Sequence, residues 1–192
     1  MSDDVQLIEL VRAMWKERDA ELRRDWDRSL PFGDAVFDRW DRARSLGFGA
    51  GASIYNSAFV FGPVSVGVDT WIGPNVILDG SGGGIQNGKT CSISAGVHIY
   101  THDTVLWALS GGALPFNQAA VAIDDFCYIG SQSVIAAGVT IGKRCVIAAN
   151  AFVNADIPDN TIVGGTPARP IGRVTGNGET VELDFSERAS GR

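Results

Sequence analysis

The sequence predicts an all-β protein built as a parallel β-helix, and three observations carry that expectation. Ile123, Ile129, Ile135, Ile141, Ile147 and Val153 recur at every sixth position between Val121 and Pro158. Two residues before each stands a small or modest side chain: Val121, Cys127, Ser133, Val139, Cys145 and Ala151. The same period, with two interruptions, reaches upstream to Ile54. Helical periodicity needs steps of three and four, and a half-buried strand alternates strictly. Neither puts a branched aliphatic residue at every sixth position. A fixed internal repeat means stacked units, each covering its neighbour's apolar surface. A period of six fits a β-helix whose short strands form the flat faces of a prism.

Three segments are expected: a helical one over 1–46, the prism over 47–174 with an extruded loop at 102–120, and a hairpin and tail over 175–192. Residues 3–28 read as helical, because Val5, Ile8, Val11, Trp15 and Leu22 fall near one face. Ser2 or Asp3 is the expected cap. Pro31 interrupts, and Asp34 is expected to cap a second short helix through Phe37, Trp40 and Leu46. Residues 47–52, Gly-Phe-Gly-Ala-Gly-Ala, superficially match a dinucleotide fingerprint. No strand precedes them and no strong helix follows, so they read as the turn into the prism.

The sixes then run through Ile54, Val60, Val66, Ile72 and Leu78. Asp79-Gly-Ser-Gly-Gly-Gly breaks them and shifts the register by three residues, which a glycine-rich bulge absorbs at a corner. Asn87 falls where an aliphatic residue is expected, before the repeat resumes with Ile93 and Ile99. The second break, 102–120, carries Trp107, Leu109 and Phe116. A long excursion from a regular scaffold is where function concentrates. Residues 175–180 read as a tight turn between 171–174 and 181–185. The polar residues from Ser186 onward read as frayed.

Composition narrows the function classes. With 22 acidic and 16 basic residues the net charge is −6, which argues against a general nucleic-acid binder with its basic stripe. It leaves room for a phosphate-bearing small substrate held by a few basic residues. No apolar run reaches the length of a membrane span. Met1-Ser-Asp-Asp-Val carries acid where a secretory signal carries base, so a cytoplasmic protein is expected. Three cysteines without a framework spacing read as free thiols. Cys127 and Cys145, at inward positions, are expected to be buried in the column.

The repeats and the closing run Asp156-Ile-Pro-Asp-Asn-Thr-Ile-Val-Gly-Gly-Thr-Pro-Ala-Arg169 resemble the hexapeptide-repeat acyltransferases. Within them the segments from Trp71 and around Tyr100-Thr-His-Asp-Thr-Val-Leu-Trp107 are similar to sugar acetyltransferases of polysaccharide and nucleotide-sugar pathways. The resemblance implies a left-handed prism of triangular cross-section, acetyl-CoA as donor, no metal, and a homotrimer with the coenzyme groove between subunits. Its expected acceptor is a hydroxyl or amino group of a sugar.

Acyl transfer needs a base to take the acceptor's proton, and histidine is suited to that at neutral pH. The chain has two histidines, His98 and His102. The resemblance assigns the base to His102, at the root of the excursion, with Asp103 or a backbone carbonyl fixing its tautomer. Asp79, His98, Asp103 and Trp107 are the expected acceptor contacts. Direct attack on the thioester, with a backbone N–H at the oxyanion, needs no covalent intermediate. For the coenzyme the resemblance implies the backbone at Ser131 and Ala149, with Gly165, Thr166 and Ala168 near the adenine. Arg169, Arg173 and Lys143 or Arg144 would meet its phosphates. An antibiotic or serine acetyltransferase, or a β-helix that serves as a non-catalytic platform, stands as the alternative. A carbonic-anhydrase-like zinc site would want three histidines.

Overall fold

A computed structural model of the protein describes residues 3–186. Ser2 and the side chain of Asp3, the expected caps, and the polar tail beyond residue 186 lie outside what it describes. Among the described residues, fifteen short strands stack in parallel on three faces. On the first face lie Ser53–Ile54, Trp71–Ile72, Ser92–Ile93, Tyr128–Ile129, Val146–Ile147 and the start of Thr161–Gly164. The second carries Phe59–Phe61, Ile77–Asp79, His98–Tyr100, Val134–Ile135 and Phe152–Val153. Val64–Val66, Ile85–Asn87, Val121–Ile123 and Thr140–Ile141 make the third.

The register explains the sixes and both breaks. Ile54 pairs with Ile72 and Ile129 with Ile147, one eighteen-residue coil apart. Ile72 pairs with Ile93, so the glycine bulge adds three residues to its coil. Ile93 pairs with Ile129, so the excursion adds one coil's worth of chain without disturbing the stack. Each repeat isoleucine from Ile123 to Ile147 is buried, and sealing such a side chain contributes about 1.5–3 kcal/mol. Phe126, Gln132, Gly138, Arg144 and Asn150 all have positive φ. One left-handed residue therefore turns each corner, again at a period of six. The phenylalanine is the least suited of them to that conformation.

Cys91, Cys127 and Cys145 are free and buried. The Cys127 thiol donates to Gly142 O at 3.0 Å and that of Cys145 to Pro158 O at 3.0 Å. Thiol hydrogen bonding with Cys145, then with Cys91, and burial hold Cys127 protonated well above its ordinary range. These are packing groups. Asn87 sits in register between Val66 and Ile123. The residue is 8% exposed, and Oδ1 has no hydrogen-bond partner among the described residues.

The all-β class describes the prism and not the chain, because helices precede it: α1 (Asp3–Trp26), α2 (Phe32–Val36) and α3 (Arg39–Ser45). Two short helices thus stand where one was expected. Asp38, not Asp34, caps α3 by accepting from the Trp40 and Asp41 amides. Asp34 instead accepts from Ser57 N at 3.0 Å, tying α2 to the first coil. Arg42 donates to the carbonyls of Tyr55 and Ala58, and Ala43 is fully buried. This makes α3 the plug on the open end of the prism. The apolar face expected along α1 is covered only at Leu22; Val5, Ile8, Val11 and Trp15 are exposed.

At the other end Arg169–Thr175 pairs antiparallel with Thr161–Gly164 and with Glu182–Asp184. The turn expected at 175–180 joins the last two strands.

Candidate functional site

The prism has three edges, and chain order assigns each turn to one. The first edge joins faces one and two, the second joins faces two and three, and the third returns to face one. His102 leaves face two at the second edge, immediately after His98–Tyr100. The glycine bulge, between Ile77–Asp79 and Ile85–Asn87, occupies the same edge one coil earlier.

The two breaks in the repeat therefore meet. Thr101, fully buried, donates through Oγ1 to Asp79 O at 2.7 Å and accepts from Gly82 N at 2.8 Å. A Cβ on Gly82 would lie 2.2 Å from Thr101 O and 2.6 Å from His102 Cβ. Only glycine lets the bulge press this closely on the histidine's root. Asp79 Oδ1 accepts from Ser81 N at 3.1 Å and from the Ser81 hydroxyl. Asp79 Oδ2 is 3.9 Å from His102 Nδ1, and Ser81 Oγ is 3.5 Å from the same nitrogen. His102 keeps 28% of its side chain exposed, so a base there would reach solvent-borne acceptors.

Asp103 does not fix the histidine. Its carboxylate accepts from Val105 N at 3.0 Å and from Asn117 Nδ2 at 2.9 Å. These bonds, that from Asn117 first, hold its pKa below the ordinary carboxylate value of 3.8. They belong to a small ladder, His102–Asp103 against Asn117–Gln118, which closes the root of the excursion. Above it α4 (Val105–Leu109) carries Trp107, exposed and packed edge-on against Phe116 at 5.7 Å. His98 points outward from face two, with Nδ1 3.2 Å from the Tyr100 hydroxyl. Asp79 and Tyr100 are register partners on neighbouring strands. Asp79, His102, Asp103 and Trp107 thus belong to one end of face two, and His98 stands on that face beside them. Trp71 lies on face one against Tyr55 and takes no part.

The expected coenzyme residues fall on two other edges. Ser131 and Ala149 turn the first edge in successive coils, linked by Asn150 N to Ser131 O at 2.9 Å. Gly165, Thr166 and Ala168 continue that column: Thr166 Oγ1 donates to Asn150 O at 3.2 Å and Ala168 N to Phe152 O at 2.7 Å. A Cβ on Gly130 would lie 2.6 Å from Ala149 N. Small residues, Gly130, Ser131, Ala148 and Ala149, thus recur along this edge, a surface that a narrow pantetheine-like chain can approach closely. Arg169 follows directly, exposed. Lys143 turns the third edge instead, and Arg173 pairs with Thr161 near it. Arg144, the alternative to Lys143, is committed to Asn177 Oδ1 and the Gly176 carbonyl. The structure therefore groups Ser131, Ala149, Gly165, Thr166, Ala168 and Arg169, and separates Lys143 and Arg173 from them.

Sequence reasoning missed Ser81 and Thr101. Their signal was available: a hydroxyl inside the glycine bulge, and another immediately before the histidine.

The family described as bacterial transferase hexapeptide (six repeats) matches residues 121–155. A hexapeptide-repeat containing acetyltransferase from Vibrio cholerae O1 biovar eltor, solved with acetyl coenzyme A, is 31% identical with a TM-score of 0.65. That likeness covers 88% of this chain and 90% of that one. AntD, an N-acyltransferase from Bacillus cereus solved with dTDP and 3-hydroxybutyryl-CoA, is 21% identical with a TM-score of 0.58. It covers 71% of this chain and 90% of that one, and shares the fold. A 2,3,4,5-tetrahydropyridine-2,6-dicarboxylate N-acetyltransferase of Staphylococcus aureus (strain bovine RF122 / ET3-1) is 43% identical over 63 residues. Those residues are 33% of this chain and 26% of that protein, so the chain spans about a quarter of the length of the curated relatives it matches.

Proposed function

The chain belongs to the hexapeptide-repeat acetyltransferases, and from that premise we propose that it moves an acetyl group from acetyl-CoA to a hydroxyl or amino group of a sugar or nucleotide-linked sugar. Membership also implies the left hand of the prism. The observation that carries the reading is a likeness over nearly the whole length to an acetyltransferase solved with acetyl coenzyme A.

His102 is the general base. It takes the acceptor's proton as the acceptor oxygen or nitrogen forms its bond to the thioester carbonyl carbon. The carbon–sulfur bond breaks, and the proton passes to the departing thiolate, leaving free coenzyme A and an acetylated product. A positioned base of this kind contributes about 10²–10⁴-fold. Asp79, His98, Asp103 and Trp107 surround the acceptor. The exposed indole of Trp107 suits a sugar ring, which presents an apolar face and a polar rim.

The first edge at Ser131, Ala149, Gly165, Thr166 and Ala168 takes the donor, with Arg169 toward its phosphates; Lys143 and Arg173, on another edge, are left out of this role. One chain holds the base and this edge on opposite borders of face two. A homotrimer, in which one subunit's second edge meets its neighbour's first, unites them and gives the reading its geometry.

Calorimetric titration with acetyl-CoA and with free coenzyme A tests the proposal, followed by thiol-release assays on sugars, nucleotide-linked amino sugars and antibiotics. Saturable donor binding and sugar-dependent thiol release are expected. Absence of binding by the folded protein would favour the non-catalytic platform, and release with antibiotics alone would replace the acceptor.

A further inference from the structure

The crest of the glycine bulge carries a hydroxyl that the prism does not need. The bulge adds three residues to its coil, and glycines satisfy its backbone; Ser81 is exposed and fills no core position. Yet the chain on both sides of it is fastened to one residue. Thr101 Oγ1 donates to Asp79 O and accepts from Gly82 N, and Thr101 N donates to Asp79 O at 3.0 Å. Thr101 directly precedes His102. The placement of Ser81 is therefore set by the same backbone that sets the histidine.

We propose that Ser81 is a positioning residue that holds the His102 ring through Nδ1, an inference that rests on His102 being the base. The Ser81 hydroxyl donates its proton to Asp79 Oδ1. Its oxygen lone pairs are then what it presents to Nδ1, 3.5 Å away. An acceptor at one ring nitrogen selects the tautomer protonated there. Nδ1 carries the hydrogen, and the lone pair of Nε2 is left for the acceptor's proton. When Nε2 takes that proton, the imidazolium charge develops with Asp79 Oδ2 3.9 Å from Nδ1. No proton leaves Ser81 or Asp79: the one that moves passes from the acceptor to Nε2 and on to the thiolate. Asp103, the sequence neighbour, cannot do this work because Val105 N and Asn117 occupy its carboxylate.

The chain has two histidines, so imidazole ¹⁵N spectra of the full-length protein resolve the ring directly, with His102→Asn assigning the signals. Ser81→Ala should shift His102 toward the Nε2-protonated tautomer. It should also lower kcat about tenfold, the scale of one lost hydrogen bond in the transition state, with the KM for acetyl-CoA unchanged. Ser81→Thr should restore both tautomer and kcat. An unchanged tautomer in Ser81→Ala, or a kcat loss that Ser81→Thr does not rescue, overturns the proposal. The spectrum is read without turnover. A His102→Ala protein that retained normal activity would thus remove the base assignment, whatever the tautomer result.

Discussion

His102 and Ala149 border the same face of the prism and yet stand on different edges of it. His102 leaves that face toward the third, and Ala149 turns onto it from the first. Between them runs the outward row Phe59, Ile77, His98, Val134 and Phe152, in register across five strands. Within one chain, a donor laid along Ala149 would not share an edge with His102.

Subunit mixing tests this separation. His102→Ala and Ala149→Trp should each be inactive alone, the second because the indole blocks the first edge. Co-refolded together they should regain part of the wild-type activity, since some interfaces pair an intact His102 with an intact Ala149 edge. A site built within one chain would give no recovery.

His102→Ala should lower kcat by about 10²–10⁴-fold, the usual contribution of a general base. The dissociation constant for acetyl-CoA should stay unchanged. Steady-state rates paired with calorimetry check it, and near-normal turnover would remove His102 as the base.

Arg169→Ala should weaken coenzyme A binding by about 10–100-fold, the scale of a lost charge-assisted hydrogen bond. Acceptor KM should hardly move. Direct titration of the variant reads the first effect and kinetics the second; the reverse pattern would overturn the assignment.

Asn87→Val should stabilise the protein. The native amide oxygen is buried between Val66 and Ile123 without a partner among the described residues, and such a group costs about 1–3 kcal/mol. A two-state denaturant titration should show a higher midpoint at unchanged slope.

Acid should loosen the root of the excursion. The Asp103 pKa lies below 3.8 because Asn117 and the Val105 amide bond its carboxylate. A depressed folded-state value means that its contribution is fully present above the unfolded value and is lost as pH falls through the folded one. The Val105 amide shift should therefore titrate with a midpoint below 3.8, and Asn117→Ala should move that midpoint upward.

The repeat fixes much of this protein by itself. A β-helix core is read once per hexad, so Ile123 to Val153 announce their own burial. Ile54 and Ile72 do the same, because stacking residues eighteen apart needs no information beyond the period. The closing Gly-Thr-Pro-Ala-Arg169 marks the end of the first edge in the same local way. The tertiary structure decided what the period cannot encode. It brought Asp79 and Ser81 against His102 because the bulge lengthens its coil by three residues, so that Asp79 pairs with Tyr100 and the two breaks land on one edge in successive coils. It turned Asp103 away to Asn117, committed Arg144 to Asn177, and put Lys143 on another edge than Ala149. Side chains outside the prism answer to loops and neighbouring coils, and their partners are set by three-dimensional proximity that no spacing along the chain records.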